Sequence, residues 1–208
     1  MLRSVPDLAG DGLKGQELRR TLPAGLEVYT DFLSPAEQLT MLSHIDSGKW
    51  TAAGNAERRV QQYGFEYHHA TRELAHDPLS SIPSWLSPII TRIENLRLME
   101  HSPNQVIINE YLPGQGIRAH VDNPQHFGPT VISLSLGSKA LMRFTALADS
   151  TLTREVLLEP GSLVVMSGES RYRWRHEIPA QLVDSFEGKE HTRGRRVSVT
   201  LRNVIHAP

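Results

Sequence analysis

Cysteine is missing from all 208 residues. That excludes a disulfide framework, a zinc–thiolate site and a cysteine nucleophile, so any chemistry must come from histidines, carboxylates, hydroxyls or bases. Net charge is also nearly missing, at −1 with histidine neutral. The field of the whole chain therefore does not mark a nucleic-acid binder, and only a local basic patch can. No apolar run approaches the roughly 20 residues that span a bilayer. The opening stretch MLRSVPDLAGDGLKGQELRR carries Asp7, Asp11 and Glu17 and has no apolar core, which argues against a secretory signal or transit peptide. The expectation is a soluble protein of the cytoplasm, or of the nucleus in a eukaryote, monomeric and without membrane contact. Residues 1–21 are expected to form a flexible tail and 22–208 one domain large enough to bury its own core. Internal repeats and low-complexity segments are absent.

Two stretches carry helix signals. Ser34-Pro35-Ala36-Glu37 supplies an N-cap serine, a proline at the first helical position and a glutamate placed to close a capping box. Leu39, Leu42 and Ile45 follow as its expected buried face. A second helix is expected over Trp85–Leu98, where Leu86, Ile89, Ile90, Ile93 and Leu96 keep helical spacing and Pro88 is tolerable in the first turn. From Gln105 onward the pattern turns to short β-type runs: QVIINEYL, TVISLSL, ALMRF, REVLLE, SLVVMS, RYRWRHEI and RRVSVTLRN, parted by Pro, Gly, Asn and Asp. Runs this short and close, with no helical crossover between them, imply a sandwich or barrel rather than a parallel α/β sheet.

Among the polar punctuation stands His120-Val121-Asp122. In an extended segment side chains i and i+2 share a face, so an imidazole and a carboxylate converge while Val121 turns away. Such a pair opens the two-histidine, one-carboxylate triad that holds non-haem Fe(II) with positions left open; it is equally the composition of an ordinary polar turn. The second histidine must come from elsewhere. His176 closes the aromatic run RYRWRH on the same β core, where it also suits a plain strand rim; His126 is nearer but sits across a proline-containing loop.

A second constellation lies in Arg196-Val197-Ser198-Val199-Thr200-Leu201-Arg202. Alternation gives one face of Val, Val and Leu and an opposite face of Arg, Ser, Thr and Arg. That opposite face fits a solvated strand surface, and it fits a surface for a dicarboxylate, because a guanidinium binds carboxylate bidentately. The two arginines stand roughly 20 Å apart along a straight strand, so each can meet one end of a small diacid only on a curved, barrel-like strand. Asn109 and Tyr111 of INEY form another i, i+2 pair for the same surface.

Taken in order, Asn109-x-Tyr111-x-Pro113-Gly114, His120-x-Asp122, Ser133-Leu134-Ser135-Leu136-Gly137, Gly168-Glu169-Ser170-Arg171, His176 and Arg196-x5-Arg202 resemble the AlkB family of Fe(II)/2-oxoglutarate dioxygenases. The similarity runs from about Leu22, where PAGLEVYTDFLSPAEQ is similar to the family's N-terminal entry, to about Val204. The resemblance implies an α+β, mainly β fold: a double-stranded β-helix (jelly roll) core with the N-terminal helices packed outside. It implies Fe(II) held by His120, Asp122 and His176, with 2-oxoglutarate and O2 as co-substrates. Arg196, helped by Tyr111, would then meet the distal carboxylate of 2-oxoglutarate. Asn109, Arg202 and Ser198 would lie at the chelating end. The repair enzyme that typifies the family has asparagine where this chain has Ser198. The reaction implied is hydroxylation of a substrate carbon, with succinate and carbon dioxide as co-products; a hydroxylated N-methyl group leaves as formaldehyde.

Substrate choice falls to the lid loops around 55–75. Glu57 to His69 interleaves arginines with aromatics, a mixture suited to phosphate contact and base stacking, and equally to a hairpin with surface arginines and core aromatics. Arg59, Tyr63 and Tyr67 are the candidate substrate contacts, joined by Arg171, which with Arg173 and Arg175 is expected along one side of a strand. A duplex would have to surrender its target base to the pocket. After HVD the chain continues Asn123-Pro124-Gln125-His126-Phe127-Gly128, where the repair enzyme is acidic; with RRVQQYGFEY this is more similar to the branch containing wobble-uridine tRNA hydroxylases. That branch's tRNA enzyme joins its oxygenase to an RNA-binding module and a methyltransferase, for which 208 residues leave no room. The expected function is therefore oxidative demethylation of alkylated bases in DNA or RNA, as in nucleic-acid repair. The alternatives are tRNA wobble-uridine hydroxylation, protein demethylation and a barrel retained only for binding.

Overall fold

The structure, a computed structural model, describes residues 2–4, 22–53, 58–68, 71 and 73–205. Their strands, in chain order, are β1 (Leu2–Ser4), β2 (Leu26–Thr30), β3 (Thr51–Ala52), β4 (Arg59–His68), β5 (Glu73–Pro78), β6 (Gln105–Tyr111), β7 (Ile117–His120), β8 (Phe127–Gly137), β9 (Ala140–Ala146), β10 (Thr153–Leu158), β11 (Leu163–Met166), β12 (Trp174–Ile178), β13 (Val183–Phe186), β14 (Lys189–Thr192) and β15 (Arg196–Val204). A large sheet runs β1-β2-β11-β8-β15-β6-β4-β3, with β5 beside β4; a smaller one runs β10-β9-β12-β7; β13 and β14 form a separate hairpin. Every ladder is antiparallel except β1 against β2. The expected tail lies outside the described residues apart from Leu2–Ser4, which add that parallel edge strand.

Both faces of the large sheet are covered, which decides what β15 does with its alternation. On the outer face Val197, Val199 and Leu201 are fully buried against the helices. Helix α1 (Pro35–Ser47) starts on the capping box read from the sequence: Ser34 Oγ accepts from the Glu37 amide at 3.3 Å and Glu37 Oε2 accepts from the Ser34 amide at 2.8 Å. Its buried residues are Met41 and Ile45, whereas Leu39 is 70% exposed. Three-residue steps fall back about 60° each at 3.6 residues per turn, so Leu39 lies about 120° from Ile45, while Met41 sits about 40° away. Helix α2 (Ser87–Asn95) follows a short 3₁₀ turn, Ser84–Leu86; it buries Ile89 and Ile93, and Leu96 emerges beyond its end. On the inner face a second apolar cluster, including Leu26, Val131, Met142, Phe144 and Ile178, closes one end of the space between the two sheets. The result is the mainly β jelly roll expected, with the helices outside.

One run divides. RYRWRHEI is helical at its start, in α3 (Gly168–Tyr172), and becomes β12 only from Trp174. β4 also changes allegiance along its length: Arg59 to Gly64 pair with β6, and from Phe65 the strand pairs with β5. Gly64 makes that corner at φ +76°, where a Cβ would lie 1.9 Å from the Asn104 carbonyl oxygen.

The β13–β14 hairpin is tied down by a buried ion pair. Arg193 donates from Nε and Nη2 to the two oxygens of Asp184 at 2.6 Å each, and from Nη1 to the Pro179 carbonyl at 2.6 Å. Burial alone would raise the Asp184 carboxyl; its hydrogen bonds from Arg193 pull it below its ordinary value. A depressed folded-state pKa contributes stability above the unfolded value, about 3.9, that is lost as pH falls through the folded one. Asp184→Asn is expected to cost about 3–5 kcal/mol at neutral pH by leaving Arg193 buried without its charge partner. The gap to wild type should narrow as pH drops below about 4. Denaturant titrations at neutral and acid pH check this; a gap independent of pH would refute the linkage.

Candidate active site

β7 and β12 are antiparallel neighbours in the small sheet, and their register sets His120 directly opposite His176. Residues so paired share a face, and the two imidazole centroids stand 4.3 Å apart. Asp122, two residues past the end of β7, joins them: its Oδ2 is 3.6 Å from His176 Nε2. One donor atom from each of His120, Asp122 and His176 falls within 4.8 Å of the others, and no other such group occurs among the described residues. His126 is not in it. Its ring packs beside Phe127, 6.2 Å between centroids.

Protonation suits these groups to a cation. His120 Nδ1 lies 2.8 Å from the Arg118 carbonyl oxygen; a carbonyl only accepts, so Nδ1–H donates and Nε2 is the ring nitrogen left for a ligand. Burial, reinforced by the neighbouring His120, lowers His176 to about 3 and keeps it neutral. For Asp122 burial pulls upward but is outweighed by Arg202 first, then by the histidines and Arg171, so the carboxylate stays ionised well below its ordinary range. Two imidazoles and one carboxylate suit a first-row transition metal with open positions.

Across the cavity the inner face of the large sheet is arranged in rows. Tyr111, Arg196 and Gly137 form one; Asn109, Ser198 and Ser135 the next; Gln105, Arg202 and Val131 another. The arginine face of β15 is therefore not a solvated surface: Arg196 is 3% exposed, Ser198 4% and Arg202 6%. Arg196 Nη2 donates to Ser135 Oγ at 3.0 Å and the guanidinium lies 5.3 Å from the Tyr111 ring centroid. Burial pushes Arg196 below its ordinary pKa. Arg202 donates from Nη1 to Asp122 Oδ1 at 2.5 Å and lies 3.9 Å from the Phe127 ring centroid. Arg196 Nε and both Nε and Nη2 of Arg202 are buried without a partner among the described residues. Unmet buried donors on two cations are costly unless an anion meets them. Both line one cavity of about 1240 Å³ that also contains the histidine–aspartate group. The pocket thus fits a small dianion near a metal.

The expected substrate contacts fare unequally. Tyr67 lines the cavity, its ring 5.6 Å from Phe127, and its backbone is bracketed by the Gln62 side chain at 2.9 and 3.2 Å. Tyr63 packs into the helix-side core and its hydroxyl donates to Gln61 at 3.0 Å, away from the cavity. Arg59 pairs with Glu110 and lies over Trp50 outside the main cavity. Its neighbour Arg58 lines the cavity instead and donates to Asn109 Oδ1 at 3.1 Å. Adjacent residues of extended chain face opposite ways, which is why choosing one meant missing the other. Arg171, Arg173 and Arg175 do not share one side of a strand. Arg171 belongs to α3 and is 3% exposed, its guanidinium spent on backbone carbonyls; Arg173 caps that helix; only Arg175, with Arg118, stands exposed at the cavity edge.

Comparison with known proteins bears on this geometry. The family model of the 2OG-Fe(II) oxygenase superfamily matches residues 25–202. The tRNA (carboxymethyluridine(34)-5-O)-methyltransferase alkbh8 of Xenopus tropicalis is 34% identical, over 92% of this chain and 33% of its own length. The alkylated DNA repair protein ALKBH8 homolog of Arabidopsis thaliana is 33% identical, over 88% of this chain and 59% of its own. This chain thus spans a third to about three-fifths of these relatives. The solved structure of OsALKBH1 matches at a TM-score of 0.70 and 19% identity, covering 88% of this chain and 98% of that one, a likeness of fold.

Proposed function

Because the chain belongs to the 2OG-Fe(II) oxygenase superfamily as an AlkB-like dioxygenase using Fe(II), 2-oxoglutarate and O2, we propose that it oxidatively demethylates alkylated bases of DNA or RNA. One observation carries the assignment of parts: the His120–Asp122–His176 group and two buried arginines with unmet donors share a single cavity. In this reading His120, Asp122 and His176 hold the iron. Arg196, with Tyr111 beside it, takes the distal carboxylate of 2-oxoglutarate, and Asn109, Ser198 and Arg202 border its other end. Bound iron with its co-substrates supplies the oxidant for a carbon–hydrogen bond held close to it. The protein's own part is to fix three donors on one side and to keep Asp122 ionised through Arg202.

The substrate side of the reading rests on the rim. Tyr67 offers an aromatic face inside the cavity, Arg118 and Arg175 stand exposed at its edge and Arg58 lines its wall, the pairing that stacks a base and meets its phosphates. A tRNA wobble-uridine substrate is the second reading, favoured by the name of the Xenopus relative. The test is mass spectrometry of DNA and RNA oligomers carrying 1-methyladenine or 3-methylcytosine, incubated with protein, Fe(II), 2-oxoglutarate and oxygen. Loss of one methyl group that requires Asp122 is the expected result. Intact methyl groups alongside continued 2-oxoglutarate consumption would overturn the demethylase and direct the assay to tRNA.

A further inference from the structure

We infer that Arg171 is a positioning residue for the candidate metal centre, fixing the turn that carries Asp122 through its backbone. The inference rests on the reading of His120, Asp122 and His176 as metal ligands and goes beyond it. Arg171 spends three donors on three carbonyls of one short segment: Nη1 on Asp122 at 2.7 Å, Nη2 on Phe127 at 3.1 Å and Nε on Gly128 at 3.2 Å. The segment closes on itself, with the amides of His126 and Phe127 both donating to the Asn123 carbonyl at 3.2 and 3.0 Å. One planar fork therefore pins the turn at its entry and its exit. Only arginine presents donors in that spread.

The division of labour with Arg202 is what makes the role specific. Arg202 grips the Asp122 carboxylate and stacks on Phe127, so it sets the side chain. Arg171 sets the peptide from which that side chain hangs. Its own anchorage leads away from the site: the Ser170 amide donates to the Ala24 carbonyl at 2.8 Å and Ser167 Oγ donates to the Gly25 carbonyl at 3.1 Å, fastening α3 to the entry of β2. The ligand turn is thereby referenced to the large sheet, while both histidines ride on the small one. Arg171 is thus a strut that spaces the carboxylate against the imidazoles.

Groups that orient metal ligands from behind are worth about 10–100-fold in metal affinity. Arg171→Met should weaken Mn(II) binding, followed by electron paramagnetic resonance of the free ion, by about that factor. Arg171→Lys, which keeps the charge but loses the fork, should show a smaller loss. Arg193→Met is the control. It removes a buried arginine that also holds backbone carbonyls, but beside Asp184, so it should lower the melting temperature and leave Mn(II) affinity unchanged. Wild-type affinity in Arg171→Met, or in Arg171→Lys should the methionine variant not fold, would overturn the inference. So would an equal loss of affinity in Arg193→Met. An Asp122→Ala arm separates the levels: Mn(II) binding that does not need Asp122 would refute the metal reading itself. Binding that needs Asp122 but ignores Arg171 refutes the strut alone.

Discussion

His176→Ala is expected to reduce 2-oxoglutarate-dependent turnover to the level of the metal-free control and to abolish stoichiometric Mn(II) or Fe(II) binding, with His126→Ala retaining both. The argument is one of donor count. With His176 gone the described residues leave one imidazole and one carboxylate in reach of each other, which is too few to hold a labile divalent ion against water while leaving sites for co-substrate and oxygen. His176 is also the cleaner probe of the group. It is neutral in the folded protein because burial keeps it so, and its removal leaves a small cavity rather than an unpaired charge. Asp122→Ala should abolish metal binding as completely but would also strip Arg202 of its carboxylate. Part of its phenotype would therefore be instability. A metal titration followed by a melting curve on each variant distinguishes the two. Metal retained by His176→Ala and lost by His126→Ala would mean that the other histidine is the ligand.

The second large effect is expected at Arg196. Truncating one partner of a buried, hydrogen-bonded charge pair costs about 2–5 kcal/mol, which at tenfold per 1.4 kcal/mol corresponds to about 30- to several-thousand-fold in affinity. Arg196→Met should therefore raise KM for 2-oxoglutarate by a factor in that range, with kcat far less affected, because in the proposed reading it meets the carboxylate remote from the reaction. Without co-substrate the arginine is a buried cation with an unmet Nε donor, so the methionine variant should be no less stable than wild type. Ligand-induced stabilisation should fall: at a hundredfold excess over Kd the wild type gains about 2.7 kcal/mol from a bound ligand, and the variant should gain no more than about 0.9 kcal/mol at the same concentration. A variant whose melting temperature shifts with 2-oxoglutarate as much as the wild type's would remove Arg196 from the pocket.

Much of this was legible because it depends on local spacing. His120 and Asp122 share a face for the same reason that Arg196, Ser198, Thr200 and Arg202 do: extended chain repeats every two residues. The capping box at Ser34 is equally local. What periodicity cannot tell is which side of a strand meets water. The polar face of β15 looks like a solvated surface until helices are seen to cover the Val197, Val199 and Leu201 side. Pairing across distance is also silent in the sequence, so the choice between His176 and His126 awaited the β7–β12 register. The misassigned arginines fail for the same reason. Arg58 and Arg59 differ by one residue and so by one face, and Arg171 turns inward because a helix begins where the aromatic run suggested strand. The β13–β14 hairpin carries almost no apolar alternation; its stability comes from Arg193 and Asp184, nine residues apart.

The corner in β4 divides one strand between wall and mouth. Before Gly64 the strand is part of the wall beside Asn109 and Ile107; after it the same strand belongs to the hairpin that brings Tyr67 to the mouth. The described residues beyond the corner are tied back to the barrel at a few points: the Leu79–Gly64 hydrogen bond at the return, the Gln105 side chain on the Phe65 carbonyl at 2.8 Å, the Gln62 bracket on Tyr67, and the packing of Phe65, Tyr67 and Leu74 on Phe127 and Val204. Changing that segment would alter what enters the mouth while the row of Asn109 and Ser198 stays in register. A barrel that received another segment there would need a glycine at the bend and an apolar seat such as Phe127 and Val204 beneath it.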